Sequence, residues 1–370
     1  MYSFFGQNIR INLKNSAYKN ILLSELEPYK NTSDKANIVI TDDWTDFNFK
    51  PVANNPKQHF YYKNVIHIKE KLTEVAFVFS GQAEVTHIYF KLVTAPNAFR
   101  KITRKWLNMQ FTNRVENIGQ IFHENILIPL SFFLPNVAPV HASGFQYKDK
   151  TYLLGGTGGV GKTTLELLFC MQKNASFITD DIAVISNTAQ VFPNYNYPKI
   201  YGYNLTGNTE LKQKTFKKAG ILNKIHWKLH QKLFGINKVR RKISPFTLYD
   251  SVVQKPTQLT DYFILFKKEV PKIKKEPINL ENTIQATIAV ILTEYSYFFN
   301  QLKWHEFNAT VLNAQPIITV EKLQNKWQNN LAVALKNCNN KRIEIPLNIK
   351  HKDYQMEMEK WIINTSADNE

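Results

Sequence analysis

The stretch GGTGGVGKTT, residues 155–164, decides how the rest of the chain is read. From Gly156 through Gly161, Lys162 and Thr163 it fits the pattern G-x-x-x-x-G-K-[ST]. Glycines let a backbone turn tightly enough for its N–H groups to surround phosphate oxygens. Lys162 adds an ammonium to meet spreading negative charge, and Thr163 adds a hydroxyl suited to a divalent ion. The candidate phosphate-contacting residues are Gly156, Thr157, Gly158, Gly159, Val160, Gly161, Lys162, Thr163 and Thr164. Context raises the weight of the pattern. Tyr152–Leu154 reads as a short strand before the loop, and Leu165–Met171 as an apolar helix after it. A glycine-rich surface turn with a chance lysine needs neither.

Working outward, Ala175–Ile178 reads as a strand that ends in Thr179, Asp180 and Asp181, before Ile182–Ile185. The paired acids follow Lys162 across one helix and one strand. One carboxylate at such a place can help hold Mg2+, while the other orients or deprotonates an attacking hydroxyl. Two adjacent carboxylates repel each other, so a cation or basic neighbour is expected beside them. Upstream, Val140–Gln146 and Thr151–Leu154 flank Tyr147–Lys150 (YKDK), a hairpin pattern that feeds the loop. Downstream, VRRKI carries Arg240 and Arg241. Either guanidinium fork fits phosphate oxygens, although an arginine pair in a basic protein needs no special purpose.

The bulk numbers bound the rest. The chain has 370 residues, 44% of them hydrophobic, with 25 Phe, 17 Tyr and 6 Trp, enough for a large core and two domains. No apolar run approaches the roughly 18 residues that span a bilayer, and the opening residues do not resemble a signal peptide. Cys170 and Cys338 form no metal-spaced motif, and a disulfide framework is not expected. A cytoplasmic location is the expectation. The formal charge is +17, from 47 Lys+Arg against 30 Asp+Glu. The excess is mostly lysine, without a zinc finger or RGG tract. A generic basic surface or a face for an anionic partner explains it as well as nucleic acid does. Thr215–Phe234 reads as one strongly basic helix with Trp227, Leu229 and Leu233 as apolar anchors. Nucleic acid, an acidic peptide and a membrane surface are its possible partners, set against a merely solvated face. His226 and His230 stand at i,i+4, but two ligands alone assign no metal.

The N-terminal region reads as β-rich, with Ile9–Leu13, Ala36–Ile40, Phe60–Lys69, Glu74–Phe79 and Thr86–Phe90 as strands, several of them antiparallel. Thr41–Phe47 (TDDWTDF) lacks the ligand spacing of a calcium loop and reads as a solvated loop with Trp44 turned inward. A helix-rich stretch is expected from Pro96 to about Leu130. Beyond the acids, Pro245–Tyr249 and then Asp261–Phe266 read as a return to the core, Lys267–Lys275 as a connector or hairpin and Thr283–Thr293 as a helix. Ile317–Val320 reads as a strand, Val320–Ala334 as a helix, Ile343–Leu347 as a final strand and His351–Trp361 as a terminal helix or extension, with a frayed end from Asn364.

VHASG from Val140, GGTGGVGKTT and FITDD together resemble the catalytic domain of HPr serine kinase/phosphorylase relatives, within the broader kinase group associated with peptide modification. The resemblance covers about 138–265. It implies an α/β (α+β) fold, with a phosphoenolpyruvate-carboxykinase-like P-loop core preceded by a smaller β-rich N-terminal domain. On it, residues 1–130 would be the accessory domain, 131–350 the nucleotide-binding catalytic domain and 351–370 a C-terminal helix or tail. The loop glycines and Lys162 would bind the phosphates of ATP, Thr163 and Asp181 would help hold Mg2+, Asp180 would match the general base, and His141 would contact the transferred phosphate or the acids. Thr163 stands where the bacterial HPr kinases commonly have serine, and no residue here matches their later acidic metal ligand or their segment for the phosphocarrier protein. The leading expectation is an ATP- and Mg2+-dependent kinase acting on a peptide Ser/Thr or a small hydroxylated substrate, with Asp180, His141, Lys162, Arg240 and Arg241 in the chemistry. A nucleotide-binding regulator or scaffold is the alternative, and a nucleic-acid-binding ATPase ranks below both.

Overall fold

Apolar side chains alternate or run unbroken through Val65–Lys69, Thr73–Phe79 and Val85–Leu92, the signature of strands buried on one or both faces. The computed structural model describes residues 1–14, 16–55, 59–70, 73–81, 83–92, 110–111, 114–217 and 219–367. They form a mixed α/β protein that divides into two compact units. The first is built from the described residues of Met1–Lys101, Arg114–Pro139 and Ile291–Asn330. The second takes those of Ile102–Asn113, Val140–Val290 and Leu331–Glu370.

In the first unit, β1 (Tyr2–Phe4), β2 (Gln7–Asn12), β3 (Ile38–Thr41), β4 (Ala53–Asn55), β5 (His59–Tyr61), β6 (Val65–Lys69), β7 (Thr73–Phe79) and β8 (Val85–Leu92) make one sheet, ordered β1-β2-β3-β8-β7-β6-β5-β4. Part of it is antiparallel as expected, but β2, β3 and β8 run parallel. The helix Ser16–Glu25 carries the chain back between β2 and β3, which is what a parallel neighbour requires. Phe60–Lys69 is two strands, interrupted at Tyr62–Asn64. Trp44 does turn toward the sheet: its Nε1 donates to Phe90 O at 3.0 Å. Of the expected helix-rich stretch, 93–109 lies outside the described residues; Arg114–Phe122 and Ile128–Phe133 are helical, joined by a π-helical turn. No strand forms at Ile317–Val320. Val320 instead opens the helix Val320–Ala334, because the Glu306 carboxylate accepts its N–H at 2.6 Å and satisfies an orphan donor of the first turn.

β9 (Val137–Val140) leads into the second unit. There β10 (Ala142–Tyr147) and β11 (Lys150–Gly155) form the expected hairpin. They join β12 (Ser176–Thr179) to a six-stranded sheet ordered β12-β10-β11-β18-β20-β19. A smaller antiparallel set follows: β13 (Ala183–Ser186) pairs with β14 (Gln190–Phe192), which also pairs with β17 (Thr257–Gln258). β15 (Lys199–Tyr201) and β16 (Arg240–Lys242) form a separate two-stranded ribbon. β18 (Asp261–Lys268) lies parallel to both β11 and β20 (Asn339–Pro346). The connector after β18 makes no hairpin, because β19 (Lys274–Pro277) pairs with β20 instead.

The helix Lys162–Gln172 buries Leu165, Leu168 and Phe169 against this sheet. The Phe169 ring stacks on Phe145 with centroids 4.8 Å apart. Burying such a ring contributes about 2–3 kcal/mol. The C-terminal helix His351–Ala367 adds Tyr354, Met358 and Ile362, one face at four-residue spacing, to the same core. Residues 364–367 therefore continue the helix rather than fray, and 368–370 lie outside the described residues. The basic segment read as one helix is two, Thr209–Phe216 and Ile221–Phe234, separated at Gly220. Among the described residues no helix is long and apolar enough to cross a membrane.

Candidate phosphate-binding site

The loop between β11 and its helix is shaped by two crowded glycines. Gly156 has φ +132°, and a Cβ there would lie 2.3 Å from Leu265 O. Gly161, at φ +103°, caps the helix, and a Cβ there would meet the Tyr354 ring at 2.6 Å. Only glycine fits both the backbone conformation and the space. Tyr354 also donates its hydroxyl to Gly161 O at 3.3 Å, so the C-terminal helix touches the loop directly.

Lys162 is buried, and its Nζ donates to Gly156 O (2.7 Å) and Thr157 O (2.8 Å). The ammonium is folded over its own loop. Thr163 Oγ1 donates to Asp180 Oδ1 at 3.1 Å, which ties the helix start to the end of β12. Ser143 of β10 donates to the same oxygen at 2.6 Å, and the backbone N–H of Lys199 reaches Oδ2 at 3.3 Å.

The two acids face different partners because the chain turns sharply between them. Asp181 has φ +72°, and Ile182 N–H donates to Asp180 O at 2.9 Å across it. This left-handed conformation is sparsely populated by side chains other than glycine, asparagine and aspartate. Asp181 Oδ1 meets His141 Nε2 at 3.1 Å, and Oδ2 accepts from Lys199 Nζ at 2.6 Å. Burial pushes the Asp181 carboxyl up, but the Lys199 charge and the hydrogen bonds from His141 and Lys199 outweigh it and hold it well below the usual carboxylate range. Burial likewise works against the Lys199 ammonium, and Asp181 overcomes it, so the lysine titrates above its ordinary value.

A third carboxyl lies beneath. Glu166, fully buried on the loop helix, accepts the Tyr249 hydroxyl at 2.5 Å and lies near enough to Asp180 to feel its charge. Burial first, and the Asp180 charge second, raise its proton affinity well above that of an ordinary glutamate. It lies beneath the paired acids and holds its proton more tightly than an ordinary glutamate does.

The structure thus gathers Lys162, Thr163, Asp180, Asp181 and His141 at one end of β10, β11 and β12. Thr163 bonds to Asp180, whereas Asp181 is engaged by His141 and Lys199. The two arginines part company. Opposed residues of an antiparallel ribbon share a face. Arg240 lies opposite Tyr201 and donates to its hydroxyl at 3.3 Å, on the Lys199 side of the ribbon. Arg241 lies opposite Ile200 and is buried with its guanidinium 5.2 Å from the Phe216 ring centroid and 5.9 Å from that of Trp227. His226 and His230 pack ring to ring at 4.4 Å. Among the described residues no group of three or more His, Cys, Asp or Glu is arranged to hold a metal.

Sequence reasoning did not single out Ser143, Glu166, Lys199, Tyr249 or Tyr354. The paired acids demanded a cation, but nothing in the order of residues picks Lys199 from 47 Lys and Arg.

Comparison with known proteins gives a partial likeness among solved structures. No family description matches the chain, and no curated protein sequence matches it. Among solved structures, the HPr(Ser) kinase/phosphatase from Coxiella burnetii matches at 15% identity over 46% of this chain and 98% of that one, with a TM-score of 0.19. The similarity to an HPr-kinase-type fold is partial and weak.

Proposed function

We propose that the second unit is an ATP- and Mg2+-dependent phosphotransferase acting on a hydroxyl group, of a peptide Ser/Thr or of a small molecule. What carries this reading is the meeting of the glycine-shaped loop, Lys162 and Thr163 with Asp180, itself bonded to Ser143 and Thr163. The residues fit the nucleotide. Gly156 and Gly161 supply the positive-φ backbone that the tight loop needs to turn its N–H groups toward a phosphate, Lys162 supplies a cation, and Thr163 with Asp181 supplies oxygen donors suited to Mg2+. Mg2+ held with ATP neutralises charge on the transferring group.

The chain's own residues divide the remaining work. Lys162 leaves the carbonyls of Gly156 and Thr157 to meet phosphate oxygens. Asp180 orients the acceptor hydroxyl and takes its proton late in transfer. Asp181, held ionised by Lys199, suits a cation better than a proton. His141 fixes one of its oxygens in place, and Arg240 adds positive charge along the rim. Positioning and electrostatics carry the rate.

The test is incubation of the full chain with gamma-labelled ATP, Mg2+ and pools of peptides and hydroxylated metabolites, beside Lys162→Ala and Asp180→Asn. Label in an acceptor with the wild type alone supports the kinase. Stoichiometric ATP binding with no transfer to any pool sinks it and supports a nucleotide-binding regulator. One observation favours that second reading: the Lys162 ammonium already donates to two carbonyls of its own loop, and Asp181 is already paired with Lys199.

A further inference from the structure

The helix Ile221–Phe234 has two apolar faces. One is packed: Trp227 and His230 are buried, with Trp227 against Val239, Leu205 and Phe216. The other carries Ile221, Leu222, Ile225, Leu229 and Leu233, all exposed, with Ile221 at 77% and Leu222 at 82%. At 100° per residue these five fall within one arc of about 120°. Lys224, Lys228 and Lys232, also exposed, repeat every four residues along the edge of that arc. From Leu211 to Tyr249 the sequence has eleven Lys and Arg and no Asp or Glu. A contiguous apolar stripe on the solvent side of a folded helix marks an interaction surface.

We infer that this helix docks the protein on an anionic lipid surface, with the Ile221–Leu233 stripe entering the headgroup boundary and the lysines meeting lipid phosphates and carboxylates. Charge complementarity fixes the sign of the partner: Glu210 and Asp250, at the ends of that run, pair with Lys214, and the helix itself carries no acid beside Lys224, Lys228 and Lys232. Exposure fixes its shape. A side chain lining a groove for a peptide is shielded by the opposite wall, and among the described residues none walls Ile221 and Leu222. A convex helix crest meets a plane. The lysines are flexible point charges whose stems can lie along the apolar edge while their ammonium groups reach the headgroups. This inference stands apart from the phosphotransfer reading, since it involves neither the loop nor the paired acids.

The experiment is co-sedimentation of the full chain, without nucleotide, with vesicles of phosphatidylcholine alone and of phosphatidylcholine containing 30% phosphatidylserine, a fraction of about that size giving a strongly anionic surface. Binding at least about tenfold tighter to the anionic vesicles, weakened by raised salt, is the expected result. The double variant Ile225→Glu/Leu229→Glu abolishes it. The triple variant Lys224→Gln/Lys228→Gln/Lys232→Gln weakens it about a hundredfold, from roughly fivefold per lysine. All five positions are exposed, and far-UV circular dichroism checks that each variant is folded. The inference is overturned if the two vesicle types bind equally, if neither binds, or if the folded variants bind like the wild type. Capture of an acidic amphipathic peptide with no vesicle binding also overturns it and makes the stripe a peptide dock.

Discussion

At the residue scale, the left-handed turn at Asp181 gives two neighbouring acids different tasks. Asp180 bonds to the loop hydroxyl and Asp181 to Lys199 and His141. Lys199→Met removes the cation that keeps Asp181 ionised, and breaking this half-buried pair costs about 1–3 kcal/mol in chemical denaturation at neutral pH. The pair's contribution is present above the ordinary aspartate value of 3.8 and is lost as the pH falls below it, because Asp181 is held lower in the fold than in the unfolded chain. The Lys199→Met protein therefore shows a smaller loss of stability on acidification than the wild type, and an equal loss contradicts the pairing. Glu166 has the opposite sign. Its proton affinity is raised in the fold, so its contribution is present in full below 4.5 and is lost as the pH climbs through its folded value. Glu166→Gln keeps the shape of the neutral acid, and its stability declines less between pH 5 and pH 8; an unchanged decline counts against the buried neutral form. On the proposed phosphotransfer, the expected effect of Lys162→Ala is a loss of transfer of about a hundredfold or more, read from single-turnover labelling.

At the scale of elements, the loop helix is held by stacking rather than by its cap. No side chain caps its first turn, and Gly161 stands at the N-cap. Phe169→Ala opens a cavity against Phe145 and costs about 3–5 kcal/mol in denaturant unfolding. A cost under 1 kcal/mol shows that the helix is fixed elsewhere. The hairpin, the loop helix and the strand before the acids were legible in the sequence because local patterns dictate them: a two-residue turn, an apolar period, an apolar run ending in acids. The strand expected at Ile317–Val320 failed for a non-local reason. Glu306, fourteen residues upstream, accepts the Val320 N–H and starts a helix there. The ribbon β15–β16 was equally invisible, since its strands are three residues long and lie almost forty positions apart.

For each whole unit, the weight lies in contacts between segments distant in the chain. The C-terminal helix seemed a separate tail in sequence, yet Tyr354, Met358 and Ile362 belong to the core under the loop. Truncation before His351 uncovers that core and removes the ring that touches Gly161. The truncated protein is expected to melt earlier and, if the proposed nucleotide site holds, to bind ATP about tenfold or more weakly by calorimetry. Unchanged affinity in a folded truncation means that Tyr354 does not shape the loop.

The sequence alone determined the glycine-rich loop, the strand–loop–helix around it and the acids downstream, because each is set by residues within a few positions of one another. Tertiary structure alone decided which lysine answers Asp181, that Glu166 lies buried beneath Asp180, that Arg240 and Arg241 take opposite faces, and that the last helix meets Gly161 at the end of the glycine-rich loop. These depend on strand pairing and burial, which bring together residues tens to almost two hundred positions apart. Local propensity carries no information about such meetings. The GGTGGVGKTT stretch fixed where a phosphate would sit; the fold supplied what surrounds it.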